Sequence, residues 1–121
     1  MKMYRVYFGE VSVNGYSSDK IVINIDSERD FLLKKLVVSY SQPEGIYITL
    51  EDNRGTRKII GDSVDGLIYA IKSGSEYILN PHNDVEGEIS KGAVVTIKIQ
   101  NRSSATNDVK VWLIGEDKDN G

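Results

Sequence analysis

The chain has 121 residues, of which 40% are hydrophobic and 27% charged, the balance of one folded domain and not of a disordered segment. It contains no cysteine, which excludes disulfides, thiolate metal ligation and a cysteine nucleophile. The net charge is −3 and the Lys and Arg residues are scattered, so we expect neither nucleic acid nor an anionic membrane as a partner.

Short apolar alternations, separated by turn residues about every ten positions, predict β-strands along the chain. Successive side chains of a strand point to opposite faces, so a period of two indicates a sheet with one buried face. The first predicted strand, 4–13, contains Gly9, where we expect a break or a bulge. Asn14 and Gly15 then suit a two-residue type I′ hairpin turn, and the polar residues 16–19 fit a longer loop equally well. The next predicted strand is 20–25.

Residues 27–40 fit a helix and a strand about equally. Ser27 and Asp30 resemble a helix capping box, and several apolar side chains of the segment fall on one helical face. The β-branched residues Val37 and Val38 near its end favour an extended chain instead. The residue pattern by itself leaves both alternatives open.

The rest of the chain is predicted to be strands and turns. A hairpin turn at residues 53–55 joins strands at 46–51 and 56–60. Residues 66–71 fit a strand or a short helical turn, and 84–90 a charged loop or an edge strand. Further strands are predicted at 76–79, 93–100 and 109–114. We therefore expect one domain over residues 1–115, a closed antiparallel sandwich or barrel, followed by a charged tail at 116–121.

Few residues could carry catalysis or bind a metal. His82 is the single histidine, and no neighbouring motif supplies it with a partner. Carboxylates that could bind calcium lack the spacing of an EF-hand loop and are more typical of a soluble strand edge; they are Asp62, Asp65, Asp84, Glu86 and Glu88. The sequence has no nucleophile elbow, phosphate-binding glycine loop or dinucleotide fingerprint. We therefore expect no enzyme activity, no cofactor and no metal site.

Aromatic side chains are the better candidates for function. Trp112 lies on the opposite face of its strand from Val111 and Leu113. If that face is exposed, Trp112 can anchor a protein interface or stack on a sugar; if the face is covered, Trp112 belongs to the core. Tyr47 poses the same alternative. The candidate interface or ligand residues are Trp112, Tyr47, Lys110 and Tyr4.

The order of segments from Asp30 onward also carries a family resemblance. The matching features are an apolar strand starting at 30–31, the strand 46–52, a glycine turn with an arginine on the return strand at 55–57, Gly92 before a long alternating strand, Asn101 at its end, and the closing strand 109–115. This arrangement resembles small jelly-roll proteins in the virions of tailed bacteriophages. Residues 62–88 depart from the pattern.

The resemblance implies an all-β fold, an antiparallel jelly-roll β-sandwich of about eight strands with a strand at 31–41. An immunoglobulin-like sandwich is the second choice. It also implies a non-enzymatic structural protein of the virion, made in the host cytoplasm, of the capsid decoration or auxiliary capsid type. Such a protein would bind the major capsid protein or other virion proteins and form a homo-oligomer, for which we expect a trimer. The alternative is a carbohydrate-binding module for host adsorption.

Overall fold

The computed structural model describes residues 3–41, 45–52, 57–60, 69–70, 76–78 and 88–118. In these residues the chain forms ten strand segments and no helix. The segments are β1 (Met3–Val13), β2 (Ser18–Asn24), β3 (Phe31–Tyr40), β4 (Ile46–Asp52), β5 (Arg57–Ile60), β6 (Tyr69–Ala70), β7 (Glu76–Ile78), β8 (Glu88–Ile89), β9 (Val94–Asn101) and β10 (Asn107–Asp117). The prediction of an all-β fold is confirmed.

The strands form two antiparallel sheets. Sheet A has the order β1-β10-β3-β7, with β8 also pairing with β3, and sheet B has the order β2-β9-β4-β5, with β6 also pairing with β4. The pairing is nested along the chain: β1 pairs with β10, β2 with β9, β3 with β7 and β8, and β4 with β5 and β6. Strands that follow one another at the start of the chain therefore belong to opposite sheets.

A single hydrophobic core lies between the sheets, and every second residue of the main strands points into it. The largest fully buried side chains include Phe31, Leu36, Ile48, Ile97 and Leu113, drawn from both sheets. The ring of Tyr7 packs edge-on against Phe31, with 5.1 Å between the ring centroids. Burial of such side chains is the main stabilising contribution in a fold of this kind.

The first strand lacks the break or bulge that we expected at Gly9. β1 runs through Gly9 without a break, in continuous register with β10, and the irregularity lies instead between Ile114 and Gly115 where β10 pairs with β3. A Cβ atom at residue 9 would overlap the side chain of Ile21, so Gly9 is needed where the edge of sheet A approaches sheet B.

Of the two alternatives that the sequence left open after β1, the longer loop is present and the type I′ hairpin is not. β1 and β2 belong to different sheets, so the connection between them crosses from one sheet to the other. The positive φ falls on Tyr16, at 53°, and not on Asn14 and Gly15. The amide of Tyr16 donates to the carbonyl of Ser103, which attaches the loop to the β9–β10 connection.

The ambiguous segment 27–40 contains no helix: residues 27–29 are bends and 31–40 form a strand, where the resemblance implied one at 31–41. β3 occupies Phe31–Tyr40 because it is the strand between β10 and β7, where alternate apolar side chains enter the core. The expected strands at 46–51, 56–60, 76–79 and 93–100 correspond to β4, β5, β7 and β9. The hairpin turn at 53–55 and most of 62–87 lie outside the described residues. The sequence left the structure of residues 66–71 and 84–90 undecided. The strand segments β6 and β8 lie in these two stretches.

β10 is longer than its prediction at both ends. It runs over Asn107–Asp117 and so includes the first two residues of the expected charged tail. Glu116 and Asp117 pair with Tyr4 and Met3 on one side and with Leu32 and Phe31 on the other. Lys118 follows, and its amide donates to the carbonyl of Asp30.

Candidate functional site

The outer face of sheet A is built from alternate residues of β1, β10 and β3. Its side chains form rows that run across the strands, read from the register of the two pairings; four rows include all three strands, and the outward pair Ser12 and Asp108 lies beyond the first of them. The first row is Glu10, Lys110 and Ser39; the second is Phe8, Trp112 and Val37; the third is Val6, Ile114 and Lys35; the fourth is Tyr4, Glu116 and Leu32. The second and third rows are apolar apart from Lys35, and charged or polar residues border them.

This outer face exposes three large apolar side chains of one strand next to each other. Tyr4 is 80% exposed, Val6 56% and Phe8 49%, all on the edge strand β1. Trp112 and Ile114 beside them are half-buried. The rings of Phe8 and Trp112 contact each other, with centroids 5.4 Å apart and planes tilted by 46°. Contiguous exposed apolar residues with a polar rim are typical of a protein contact surface.

Three of the four candidate residues lie together on this face. Trp112, Lys110 and Tyr4 occupy the second, first and fourth rows. Tyr47 lies apart from them, on the outer face of sheet B. Sequence reasoning missed Val6 and Phe8, although both alternate with Tyr7 in β1 and could have been found as a second apolar face of that strand.

The outer face of sheet A has unpaired charges at opposite ends of β10. Neither Lys110 nor Glu116 forms an ion pair with any of the described residues. Lys98 on sheet B, in contrast, is 2.9 Å from the carboxylate of Glu51. Glu10 lies opposite Lys110 in the register without forming an ion pair with it. The two end charges of β10 are therefore available to an external partner.

A polar groove of about 620 Å³ lies at the first-row end of sheet A. Its lining includes Glu10 and Lys110 of the first row, together with Ser12, Tyr40 and Asp108. The exposed Tyr4 lies at the other end of the same face, in the fourth row. The face thus has a protruding aromatic side chain at one end and a groove at the other.

The outer face of sheet B is mostly polar, apart from the exposed Val22, and two of its described polar groups have partners within the chain. The guanidinium of Arg102 lies 4.1 Å above the centre of the Tyr47 ring, and its Nε donates to Gln100. A shallow groove of about 470 Å³ runs beside Tyr47 and is lined by Lys20, Thr49 and Lys98 among others. One side of the Tyr47 ring is therefore already occupied by a cation, which reduces its use for sugar stacking.

Arg5 and Asp117 form an ion pair at the end of the core, between β1 and β10. Nε and one terminal nitrogen of Arg5 donate to the two oxygens of Asp117, at 2.8 and 2.7 Å. The Asp117 side chain is 2% exposed and that of Arg5 33%. The hydrogen bonds from Arg5 lower the pKa of Asp117, and those to Asp117 raise the pKa of Arg5. The pair stabilises the fold, and neither residue lines the two grooves of about 470 and 620 Å³.

Asn101 connects the β1–β2 and β9–β10 loops at the opposite end of the fold. Its side-chain nitrogen donates to the carbonyls of Val13, Asn14 and Ala105 at 3.2, 3.2 and 2.8 Å. Its side-chain oxygen accepts from the amide and hydroxyl of Ser103 at 3.0 and 2.7 Å. Asn101 is 1% exposed and is therefore a structural residue of the loop end.

The described residues contain no group of three or more histidine, cysteine, aspartate or glutamate side chains that could hold a metal ion. Glu88, one of the calcium candidates, instead pairs with Lys118 at 2.9 Å and raises its pKa. His82 and the other calcium candidates, Asp62, Asp65, Asp84 and Glu86, lie outside the described residues. Over the same described ranges, no helix is long and apolar enough to cross a membrane.

Comparison with known proteins adds no identification. No protein-family model matches the chain, and no curated protein matches its sequence. What the protein does is therefore inferred from the geometry of the two sheets and their outer faces.

Proposed function

We propose that this chain is a non-enzymatic structural protein of a bacteriophage virion, of the capsid decoration or auxiliary capsid type. In this proposal it is located in the virion and contacts the major capsid protein or other virion proteins, as well as its own copies. The observation that carries the proposal is the exposed apolar outer face of sheet A, centred on Phe8 and Trp112. Such a face favours a protein partner, because its burial would remove aromatic surface from water.

The strand order supports a jelly-roll topology within this proposal. In a jelly roll, a long antiparallel hairpin is rolled up so that its successive strand pairs belong alternately to two sheets. The nested pairing of β1 with β10, β2 with β9, β3 with β7 and β8, and β4 with β5 and β6 fits that description. β6 and β8 are two-residue segments that pair beside β5 and β7, so eight principal strands remain.

The carbohydrate-binding alternative has less support. Its natural location would be the groove beside Tyr47, where a sugar would stack on the ring. Arg102 already covers one side of that ring, and the exposed rings of Tyr4 and Phe8 lie on sheet A in a mixed aliphatic and aromatic surface. That mixture is typical of a protein contact.

The proposal is tested by quantitative mass spectrometry of purified particles of the bacteriophage that encodes the chain. We expect the chain in a fixed ratio to the major capsid protein. A Trp112→Glu variant should be depleted from the particles by about 30-fold or more, the effect of losing one central aromatic anchor.

Val22→Glu provides the matched control, because Val22 is 50% exposed on the outer face of sheet B. This variant places the same charge on the opposite side of the molecule and should remain in the particles at the normal ratio. The virion role is refuted if the chain is absent from purified particles. If both variants are incorporated equally and their melting temperatures are unchanged, the outer face of sheet A does not contact the particle.

A further inference from the structure

The outer face of sheet A has an arrangement that complements itself. Along β10 the outward side chains are Asp108, Lys110, Trp112, Ile114 and Glu116. Lys110 and Glu116, which carry opposite charges, bracket the two apolar residues, and Asp108 lies beyond Lys110 at the start of the strand. The two charges lie at equal distances from the midpoint at residue 113. A half-turn about that midpoint exchanges the two charges and leaves the apolar residues in the middle.

We propose that this face binds a second copy of the same chain, in a two-fold dimer that packs the two sheets A face to face. The two-fold axis lies in the plane of contact between the two sheets. It runs perpendicular to the strands and passes between the second and third rows, so each strand lies antiparallel over the same strand of the second copy. It places Lys110 against Glu116 of the second copy, twice in each dimer, and Trp112 against Ile114. Oppositely charged groups placed in this way fix the register of an interface and disfavour alternatives.

The edge strand β1 follows the same symmetry. The half-turn places Phe8 over Val6 of the second copy and Tyr4 over Glu10. Tyr4 is the most exposed large hydrophobic side chain, and Glu10 lines the groove of about 620 Å³ at the first-row end. The protruding ring at one end of each copy therefore meets the groove at the other end of its partner, where the tyrosine hydroxyl can donate to Glu10.

The third strand of the face also fits. Val37 meets Lys35 of the second copy, and the aliphatic stem of a lysine covers apolar surface while its ammonium group stays at the rim. Ser39 and Leu32 meet at the ends of the same strand. The half-turn brings no two like charges together among these outward residues.

The size of the face predicts a dimer that depends on concentration. Four rows at about 6.8 Å and three to four strands at about 4.8 Å give a face of about 27 by 14–19 Å. Two such faces bury about 800–1,000 Å² in total, below the standard size of specific interfaces and within the range of weak, transient contacts, so we expect a dissociation constant of about 1–100 µM.

A two-fold dimer takes the place of the trimer that we expected from the sequence. One surface patch packs against the same patch of another copy only about a two-fold axis, whereas a three-fold ring joins two different patches. The inference rests on the proposed function in one respect: it takes the outer face of sheet A as a protein contact and names the partner that occupies it.

The test is sedimentation velocity of the full chain over a concentration series from about 1 µM to about 1 mM, a range that brackets the expected dissociation constant. The unmodified chain should shift from monomer to dimer. Lys110→Glu and Glu116→Lys should each weaken the dimer by about 30-fold or more, because each single reversal creates two like-charge contacts. The double variant K110E/E116K should restore association to within a few-fold.

Lys20→Glu is the matched control: Lys20 is exposed on sheet B, and the same charge reversal there should leave the dissociation constant unchanged. A chain that stays monomeric throughout the series, a trimer, or a double variant that fails to recover would each overturn the dimer. The unmodified chain could also stay monomeric while Lys110→Glu still abolishes its incorporation into particles. That result would mean that the face binds a shell protein, and it would likewise overturn the dimer. Absence of a dimeric chain from purified particles would overturn the virion role alone.

Discussion

The ion pair between Arg5 and Asp117 provides the sharpest test of how the fold is held together. Replacement of Asp117 by Asn removes the charge and turns one acceptor oxygen into a donor facing the Arg5 guanidinium. Breaking a buried pair by removing one partner costs about 3–5 kcal/mol, and because Arg5 is one-third exposed, water recovers part of this. We expect the free energy of unfolding to fall by about 2–3 kcal/mol, which corresponds to about 8–12 °C in melting temperature for a domain of this size.

The pH dependence of this difference follows from the lowered pKa of Asp117. A carboxylate whose pKa is lower in the folded state stabilises the fold fully above its unfolded value, here 3.8, and loses that contribution as the pH falls through the folded value. The raised pKa of Arg5 affects stability only at strongly alkaline pH. The gap between the unmodified chain and Asp117→Asn should therefore be constant from about pH 5 to pH 9 and close below about pH 4.

Urea unfolding followed by circular dichroism at several pH values measures this gap. Glu51→Gln is the control, because Glu51 pairs with Lys98 at the surface, where side-chain exposures are 26% and 58%. Its loss should cost at most about 0.5 kcal/mol at any pH. A cost for Asp117→Asn as small as that of the control, or one that persists undiminished below pH 4, would refute the assignment of a stabilising ion pair at this position.

Two further substitutions test the loop end and the irregularity in β10. Asn101→Asp should lower the free energy of unfolding by about 2–4 kcal/mol, because it turns a carboxylate oxygen toward the carbonyls of three residues. The same change at the exposed Asn24 should alter it by less than about 0.5 kcal/mol, and equal effects in urea unfolding would contradict the loop-anchoring role. Gly115→Ala should destabilise by about 3 kcal/mol or more, since the new Cβ overlaps the carbonyl oxygen of Leu32. A Gly115→Ala chain with an unchanged melting temperature would show that β10 and β3 do not approach this closely.

The positions of the strands could be predicted from the sequence because the signal is local. The alternation of Ile46, Ile48 and Leu50 directly reports a strand with one buried face, and those three side chains are buried. The assignment of strands to sheets could not be predicted in the same way. Asn14 and Gly15 carry the residue preference of a hairpin, yet β1 and β2 pair with strands from the far end of the chain, and no local residue reports that pairing.

The end of β10 shows how distance along the sequence hides a buried charge. Residues 116–121 are rich in charge and were predicted to be a tail, since charged chain ends are usually solvated. Asp117 is buried because Arg5, 112 positions earlier, supplies two hydrogen bonds to its carboxylate. Either residue alone looks like an ordinary surface charge; only the register between β1 and β10 brings them together.

The contact face was predicted in part, for a related reason. Trp112 could be selected because it alternates with buried Val111 and Leu113 in a strand whose other outward residues include Lys110 and Glu116. β1 gave no such contrast, since Val6 and Phe8 are as apolar as the inward Tyr7 and Val11. Which of these two sets faces the core depends on where sheet B lies, and that is a property of the whole fold.

A comparison of the two outer faces gives the reason for placing function on sheet A. On sheet B, Glu51 pairs with Lys98 and Arg102 covers the Tyr47 ring, although Lys20 and Val22 are exposed. On sheet A, aromatic and aliphatic side chains stay in water and the charges at both ends of β10 have no ion-pair partner among the described residues. A face of the second kind gains far more from association than one of the first, because burial removes apolar surface from water while the end charges acquire partners. The physical asymmetry between the sheets is therefore the reason that we propose sheet A, and not sheet B, as the contact surface.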